Sequence, residues 1–312
     1  FELIAVDDGS LDATPEILEA FSQRDSRVRV LTTSRRGIVP ALETARQAAR
    51  GTYLARMDAD DVSLPGRLRL QLELMEAQPE VACCGVRVRY FPREEVRVGA
   101  LRYEAWLNST GTSEEIERNL FVECPIAHPT FFMRAEAVAS VGGYRDRGWA
   151  EDYDLLLRLW RSGGRFARVP EELFLWRESA TRLSRNDPRY SADSFRACKV
   201  HHLRTGLLRA GPAHAGREVV ICGAGPVGKA LARQFLASGT RVRAFVDLDP
   251  RKIGQMVHGA LVLGPDQLSQ LTDTGGDFVV LGAVGQVGAR EEIRGLFGGL
   301  GWREGQDLWM VA

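Results

Sequence analysis

The stretch "LARMDADDVSLP", residues 54–65, sets three carboxylates, Asp58, Asp60 and Asp61, into four positions directly behind an apolar segment. That segment, "GTYLARM" over 51–57, reads as a strand, and Pro65 stands where a helix reaching about Ala77 can begin. On the N-terminal side, "FELIAV" reads as a buried strand running into "DDGS", and a helix is expected over 15–23. "RVRVLT" (27–32) alternates as a strand, and 38–49 carries helical spacing. Strand and helix alternating through short loops is the signature of a parallel α/β sheet.

On the C-terminal side, strands are expected over 80–90 and 129–134 and a short helix over 113–121. An amphipathic helix over 150–163 is stopped by Gly163 and Gly164. Residues 91–111 read as an irregular polar excursion, and "RFARVPEELFLWR" closes this half. A polar segment (178–190) and a helix (191–209) lead to "RAGPAHAGR", whose Gly, Pro and Ala content marks a linker at 210–217. Beyond it the pattern restarts, with strands at 218–225, 241–247, near 261–263 and 277–283, and helices at 226–238, 265–271 and 287–299. The 312 residues exceed what one small core organises, so two domains are expected, 1–209 and 218–312.

Lys plus Arg and Asp plus Glu number 41 each, so no global field recruits nucleic acid or an acidic membrane. The five cysteines have no metal-site spacing and cannot all pair, which fits a reduced cytoplasmic chain. No apolar run approaches the roughly 18 residues of a membrane span, and no signal peptide opens the sequence. A cytoplasmic protein without a transmembrane segment is expected, with peripheral contact at the inner membrane face left open. Phe1 opens directly in a strand, and the chain is read as one whose front has been removed or as a fragment of a longer one.

In open α/β sheets ligands bind beyond the carboxyl ends of the strands, where "DDGS" and "DADD" both fall. Adjacent carboxylates repel unless a divalent cation, an arginine or backbone amides offset them, and hard oxygen ligands suit Mg²⁺ or Mn²⁺. Two readings of the loop stand side by side: a clamp for a nucleoside diphosphate, or an acidic surface loop capping the helix at Pro65. Taken alone, Asp152 reads as an acid favoured by a helix N-terminus. Arg56 either neutralises the acidic loop or forms an ordinary ion pair.

"VDDGS", "RGIVPALETARQAARGTYLARMDADDVSLPGRL", "CPIAHPTFFMR", "VGGY" and "AEDYDLLLRL" occur in an order that strongly resembles the family 2 glycosyltransferases of GT-A fold. The resemblance covers residues 1 to about 185 and is strongest to bacterial members that build surface polysaccharides. It implies a nucleotide-sugar-binding α/β sheet with helices on both faces. By position, Asp8 with Asp7 beside it would contact the uracil and ribose of a UDP-sugar. Asp58 would be the ribose-side carboxylate and Asp60 the holder of Mn²⁺ or Mg²⁺, with Asp61 in support. Asp152, next to Glu151, matches the catalytic base of inverting members. Inverting transfer needs one carboxylate to take the acceptor's proton and a metal to carry charge on the departing diphosphate.

His128 is a candidate acceptor contact or a histidine held in a turn, and Trp149 a sugar platform or a packing residue. Arg182 lies where related enzymes carry a loop that closes on the diphosphate. Two departures stand out. The family's first strand, with its "P-x-Y-N"-like motif, and the helix after it would precede Phe1, which predicts weak donor binding or an uncovered sheet surface. Glu43 and Cys124 replace asparagines common in the family. The acceptor implied is a glycan or lipid-linked sugar; a nucleotidyltransferase and a non-catalytic nucleotide-binding protein are the rival readings.

In the second domain, "VVICGAGPVGKALARQFLASGTRVRAFVDLDP" places Gly223, Gly225 and Gly228 as G-x-G-x-x-G between a strand and a helix, and Asp247 ends the next strand. That context predicts a Rossmann-like domain with a ribose-binding acid, and an NAD(P) or other nucleotide as its ligand. The following stretch resembles the nucleotide-sugar-binding domain of bacterial sugar acyltransferases as much as it does NAD-dependent dehydrogenases. No hydride-transfer acid or base follows, and His258 reads as a loop residue. A degenerate domain that binds a nucleotide, or only stabilises the enzyme, is expected.

Overall fold

A computed structural model describes residues 1–208, 217–269, 271 and 277–312, so the expected linker lies outside the described residues apart from Arg217. Two compact units emerge: Phe1–Ser113 with Ile126–Asp187, and Glu114–Pro125 with Pro188–Ala312.

In the first unit, β1 (Leu3–Asp7) and β2 (Val28–Thr32) pair in parallel, with α1 (Thr14–Arg24) between them and α2 (Ile38–Ala48) after them. A five-stranded sheet has the order β3-β6-β5-β7-β4, from β3 (Tyr53–Ala55), β4 (Val62–Ser63), β5 (Val81–Phe91), β6 (Phe132–Arg134) and β7 (Arg165–Arg177). Only β5 and β7 run parallel within it; β3, β4 and β6 are antiparallel to their neighbours. The purely parallel reading is thus corrected to a mixed sheet. Strand–helix rhythm identifies the elements but not the end from which a short strand such as β6 enters.

Helix α3 (Arg67–Ala77) follows the acidic loop. Residues expected to be irregular form α4 (Val98–Ser109), whose weak amphipathic pattern hid it. Its place is fixed by long-range bonds instead: Glu104 accepts the Tyr90 backbone N–H at 2.6 Å, and Asn108 both donates to and accepts from Val88. Under it, Tyr90 and Trp176 stack with ring centroids 5.0 Å apart. After α6 (Ala135–Ser140) comes α7 (Glu151–Arg161), buried along most of its length, with the Asp154–Arg158 pair at 2.8 Å offsetting two buried charges. Beyond β7 lies the short α8 (Leu183–Asn186).

The second unit takes all but the first residue of α5 (Ser113–Arg118), together with α9 (Ala192–Gly206) and a six-stranded sheet. The sheet order is β10-β11-β9-β8-β12-β13, built from β8 (Glu218–Cys222), β9 (Val242–Val246), β10 (Met256–Val257), β11 (Ala260–Leu263), β12 (Phe278–Gly282) and β13 (Leu308–Met310). All pairs are parallel except the β10–β11 hairpin. His258 and Gly259 make its two-residue turn, both at positive φ (50° and 82°), so His258 is a turn residue. Helices α10 (Pro226–Ala237) and α11 (Ala289–Gly298) follow β8 and β12. The division falls at Asp187 and Pro188 instead of at the expected 209. Lys199 of α9 donates to the carbonyls of Val122 (2.7 Å) and Val311 (3.1 Å), which ties α9 and the 114–125 segment to this sheet.

Candidate active site

The acidic loop leaves β3 and is stitched at both ends. The Arg56 N–H donates to the Phe131 carbonyl at 2.8 Å, continuing the β3–β6 ladder, and Leu64 N–H meets the Leu173 carbonyl at 3.0 Å beside the β4–β7 pair. Underneath, the fully buried Arg67 of α3 donates to the carbonyls of Arg56 (2.8 Å) and Pro129 (3.0 Å), and its guanidinium lies over the Phe174 ring. Arg67 thereby holds the acidic loop and the 128–130 turn at one depth.

Within the loop the three carboxylates differ. Asp60 is exposed, Asp58 half-buried and Asp61 buried. Asp61 accepts the Arg177 backbone N–H at 2.7 Å on Oδ1, while its buried Oδ2 has no hydrogen-bond partner among the described residues. Burial pushes the Asp61 carboxyl up to about 7, and Asp58 and Asp60 add to the shift against the Arg177 N–H and the Arg56 charge. Arg177 also donates from Nε to the Asp60 carbonyl at 2.7 Å. The buried Arg56 pairs with Asp58. Burial works against the guanidinium charge, but Asp58 overrides it and raises the Arg56 pKa. Nε and Nη1 of Arg56 are buried without hydrogen-bond partners among the described residues.

Tyr144 and Glu151 also act on the Arg56 charge, so the start of α7 lies within electrostatic reach of the acidic loop. Glu151 is buried at the start of α7, and Asp152 beside it is half-buried. His128 stands between: Nε2 lies 2.9 Å from the Tyr144 hydroxyl and Nδ1 lies 3.7 Å from a Glu151 oxygen. That second contact would be an ion pair only with a protonated ring. Burial and the Arg56 charge hold the His128 pKa well below its ordinary value, so the ring is neutral. With the proton on Nδ1, the ring would face the Glu151 oxygen with its N–H and leave Nε2 to accept from the Tyr144 hydroxyl.

Asp7 and Asp8 close β1. Asp7 is buried and caps the turn by accepting the Ser10 N–H at 3.0 Å. Asp8 accepts from the Thr33 hydroxyl (2.8 Å) and from the backbone N–H groups of Arg36 (3.0 Å) and Gly37 (2.6 Å). The Arg36 N–H leads in lowering its pKa, followed by the Thr33 hydroxyl. Asp8 thus ties β1 to the Gly37 N-cap of α2.

Two expected site residues are otherwise engaged. The Arg182 guanidinium lies 4.3 Å from the Trp176 ring centre and 5.3 Å from that of Tyr90, and it faces buried Glu178 at 3.5 Å. Trp149 donates from Nε1 to Asp154 of α7 at 3.2 Å, which fixes the half-buried ring by its polar edge. Tyr144 and Arg177 were given no role by the sequence. Only the glycine pair before Tyr144, with φ of +81° and +64°, signals that this tyrosine is placed by a turn no other residue adopts easily.

In the second unit the glycines have separate reasons. Gly223 has φ +110°, a Cβ on Gly228 would lie 1.9 Å from the Gly223 carbonyl, and one on Gly225 would meet open space. Asp247 is already engaged: Oδ2 accepts from the Ala224 N–H (2.8 Å) and Lys252 (3.0 Å), and Oδ1 from the Asp249 N–H (2.9 Å). The acid expected to take a ribose diol closes its own glycine loop.

Residues 1–142 match the family described as glycosyl transferase family 2. A putative glycosyltransferase of Bacillus subtilis, EpsE, is 29% identical over 211 residues, 64% of this chain and 72% of that protein. The amylovoran biosynthesis glycosyltransferase AmsE of Erwinia amylovora is 31% identical over 137 residues, 44% of this chain and 49% of that one. This chain therefore spans about half of AmsE and under three quarters of EpsE. Among solved structures, residues 1–349 of S. aureus TarS in complex with UDP-GlcNAc superpose with a TM-score of 0.51 at 13% identity, covering 76% of this chain and 64% of that one. The fold is α/β of GT-A type.

Proposed function

With residues 1–142 a glycosyltransferase domain of family 2 type, we propose that the chain moves a sugar from a nucleotide-sugar, a UDP-sugar by its motifs, to a hydroxyl of a glycan or lipid-linked acceptor, with inversion and with a divalent cation. One observation carries this reading. Arg56, His128 and Tyr144 link the "DADD" loop to the Glu151–Asp152 pair, so the carboxylates proposed for the diphosphate and the one proposed for the acceptor belong to a single polar cluster.

The residues fit a hard cation. Three carboxylates crowd four positions, and the buried Asp61 Oδ2 has no hydrogen-bond partner among the described residues. Asp60, Asp58 and Asp61 would hold Mn²⁺ or Mg²⁺, which supplies positive charge for the diphosphate. Asp8 with Asp7 would orient the nucleoside, and Asp58 its ribose. Half-buried Asp152 would take the proton of the acceptor hydroxyl as that oxygen bonds to the anomeric carbon and the bond to the diphosphate breaks, releasing UDP. Glu151, nearly inaccessible, would support Asp152. Acceptor class follows the relatives' role, amylovoran biosynthesis in AmsE.

The second unit reads as a Rossmann-like domain on its strand order, which reverses direction between β8 and β12. Retention of Asp247 by its own loop disfavours NAD(P) in the usual mode. Among the described residues no helix is long and apolar enough to cross a membrane.

Calorimetric titration of UDP with and without Mn²⁺, on this chain and on Asp60→Ala, tests the donor site. Metal-dependent binding that vanishes in the variant is expected; metal-independent or absent binding in the unaltered chain would overturn the reading.

A further inference from the structure

We propose that half-buried Glu43 and the buried Tyr144 and His128 form a positioning relay that fixes Glu151, and with it the first turn of α7 that presents Asp152. The inference rests on Asp152 being the base, as read above. None of the three relay residues touches a substrate in it, so His128 is a positioning residue and no acceptor contact.

The relay begins in α2. The Glu43 carboxylate is locked by Arg46 on both oxygens (2.6 and 2.8 Å) and by Gln47 (2.9 Å), and it accepts the Tyr144 backbone N–H at 3.1 Å. Burial raises its pKa, but these hydrogen bonds, Arg46 first, outweigh that and hold it ionised. The turn before Tyr144 approaches so closely that a Cβ on Gly143 would lie 2.3 Å from a Glu43 oxygen, at a φ of +64°. Glycine at 143 adopts that φ without strain and leaves the Glu43 carboxylate where it meets the Tyr144 N–H.

From that seat the buried Tyr144 hydroxyl meets Nε2 of His128 at 2.9 Å. The imidazole is clamped on its other sides, edge-on to Phe131 with centroids 5.0 Å apart and with Nδ1 3.7 Å from Glu151. At 3.7 Å the last contact is electrostatic and longer than a direct hydrogen bond. It still matters, because Glu151 is 1% exposed and a carboxylate at that depth is costly unless polar groups face it. Asp152 follows in the next position on the same helical turn, so any tilt of Glu151 re-aims it. A misplacement of about 1 Å at a reacting group is enough to cost on the order of 100-fold in rate. Because Gly37, the N-cap of α2, is held by Asp8, the relay starts from the helix that the nucleoside-side acid also seats.

The test uses the full chain with ¹⁵N-labelled histidine, His128 being assigned by its loss in His128→Gln. Long-range ¹H–¹⁵N spectra should show one neutral tautomer, protonated on Nδ1, and Tyr144→Phe should convert it to a mixture by freeing Nε2. In turnover of a UDP-sugar, Tyr144→Phe should lower kcat by about 10- to 100-fold with the UDP–Mn²⁺ affinity unchanged. In an Asp152→Asn background the same change should cost less than about 2-fold, because an absent base cannot be misplaced. An unaltered His128 spectrum in Tyr144→Phe overturns the relay, as does an equal loss in both backgrounds. An unaltered chain that turns over no nucleotide-sugar would sink the glycosyltransferase reading and with it the role of Asp152, while the spectrum still decides the His128 contacts.

Discussion

Arg67→Met probes the support beneath the acidic loop. The substitution keeps most of the volume but removes the donors that reach the Arg56 and Pro129 carbonyls at 2.8 and 3.0 Å, the 3.1 Å bond to Gln71 and the stack on Phe174. Two buried acceptors left without donors cost about 1–3 kcal/mol each, and the Gln71 bond about 1 kcal/mol. The lost guanidinium–ring contact adds about 1 kcal/mol. Against these stands the relief of a buried charge. Burial leads in bringing the Arg67 pKa down to about 10 from an ordinary 12.5, a shift worth about 3 kcal/mol. The balance is a loss of about 3 kcal/mol. It should be read by native-state hydrogen exchange at β5 and β6, because a chain of two units does not guarantee a single two-state transition. Mn²⁺-dependent UDP affinity should fall as well, since the loop and the 128–130 turn lose their common anchor. Protection lowered by less than about 1 kcal/mol would refute the assignment of Arg67 as that anchor.

Three further outcomes follow from the structure. Asp61 has a folded pKa of about 7, above the ordinary carboxyl value, so its contribution to stability is present below about pH 4 and is lost as pH rises through 7. Without metal, Asp61→Asn should gain about 1–2 kcal/mol relative to the unaltered chain between pH 5 and 8, a figure discounted for solvent screening; equal pH profiles in urea unfolding would contradict this. Gly228→Ala drives a Cβ to 1.9 Å from the Gly223 carbonyl and should destabilise the second unit by about 3 kcal/mol or more, measured as lost exchange protection in β8, whereas the open site at Gly225 should tolerate alanine within about 1 kcal/mol. All five cysteines are buried, and burial pushes the Cys84 and Cys222 thiols up to about 12, so a thiol reagent at pH 8 should label none in the folded chain and five in denaturant.

By itself the sequence determined the alternation of strands and helices, the acidic loop behind β3, the acid pair opening α7 and the glycine turn after β8. Each is written in neighbouring residues: apolar period, a proline at a helix start, glycines where only they fit. It missed α4, whose hydrogen bonds run to Tyr90 and Val88 of β5, distant in sequence, and it did not foresee that α9 would bond to carbonyls at 122 and 311. Tertiary structure alone decided which charged groups are spent and which are offered. Arg182 went to Trp176 and Glu178, Asp247 to its own glycine loop, and Asp61 to an Arg177 amide 116 residues away, while Tyr144 and His128 gained a partnership no motif spells out. Backbone period is set by local sterics and side-chain polarity within a few residues. The pairing of a buried charge depends on which distant group arrives at the same depth, because an unpaired charge there costs more than the local pattern can supply.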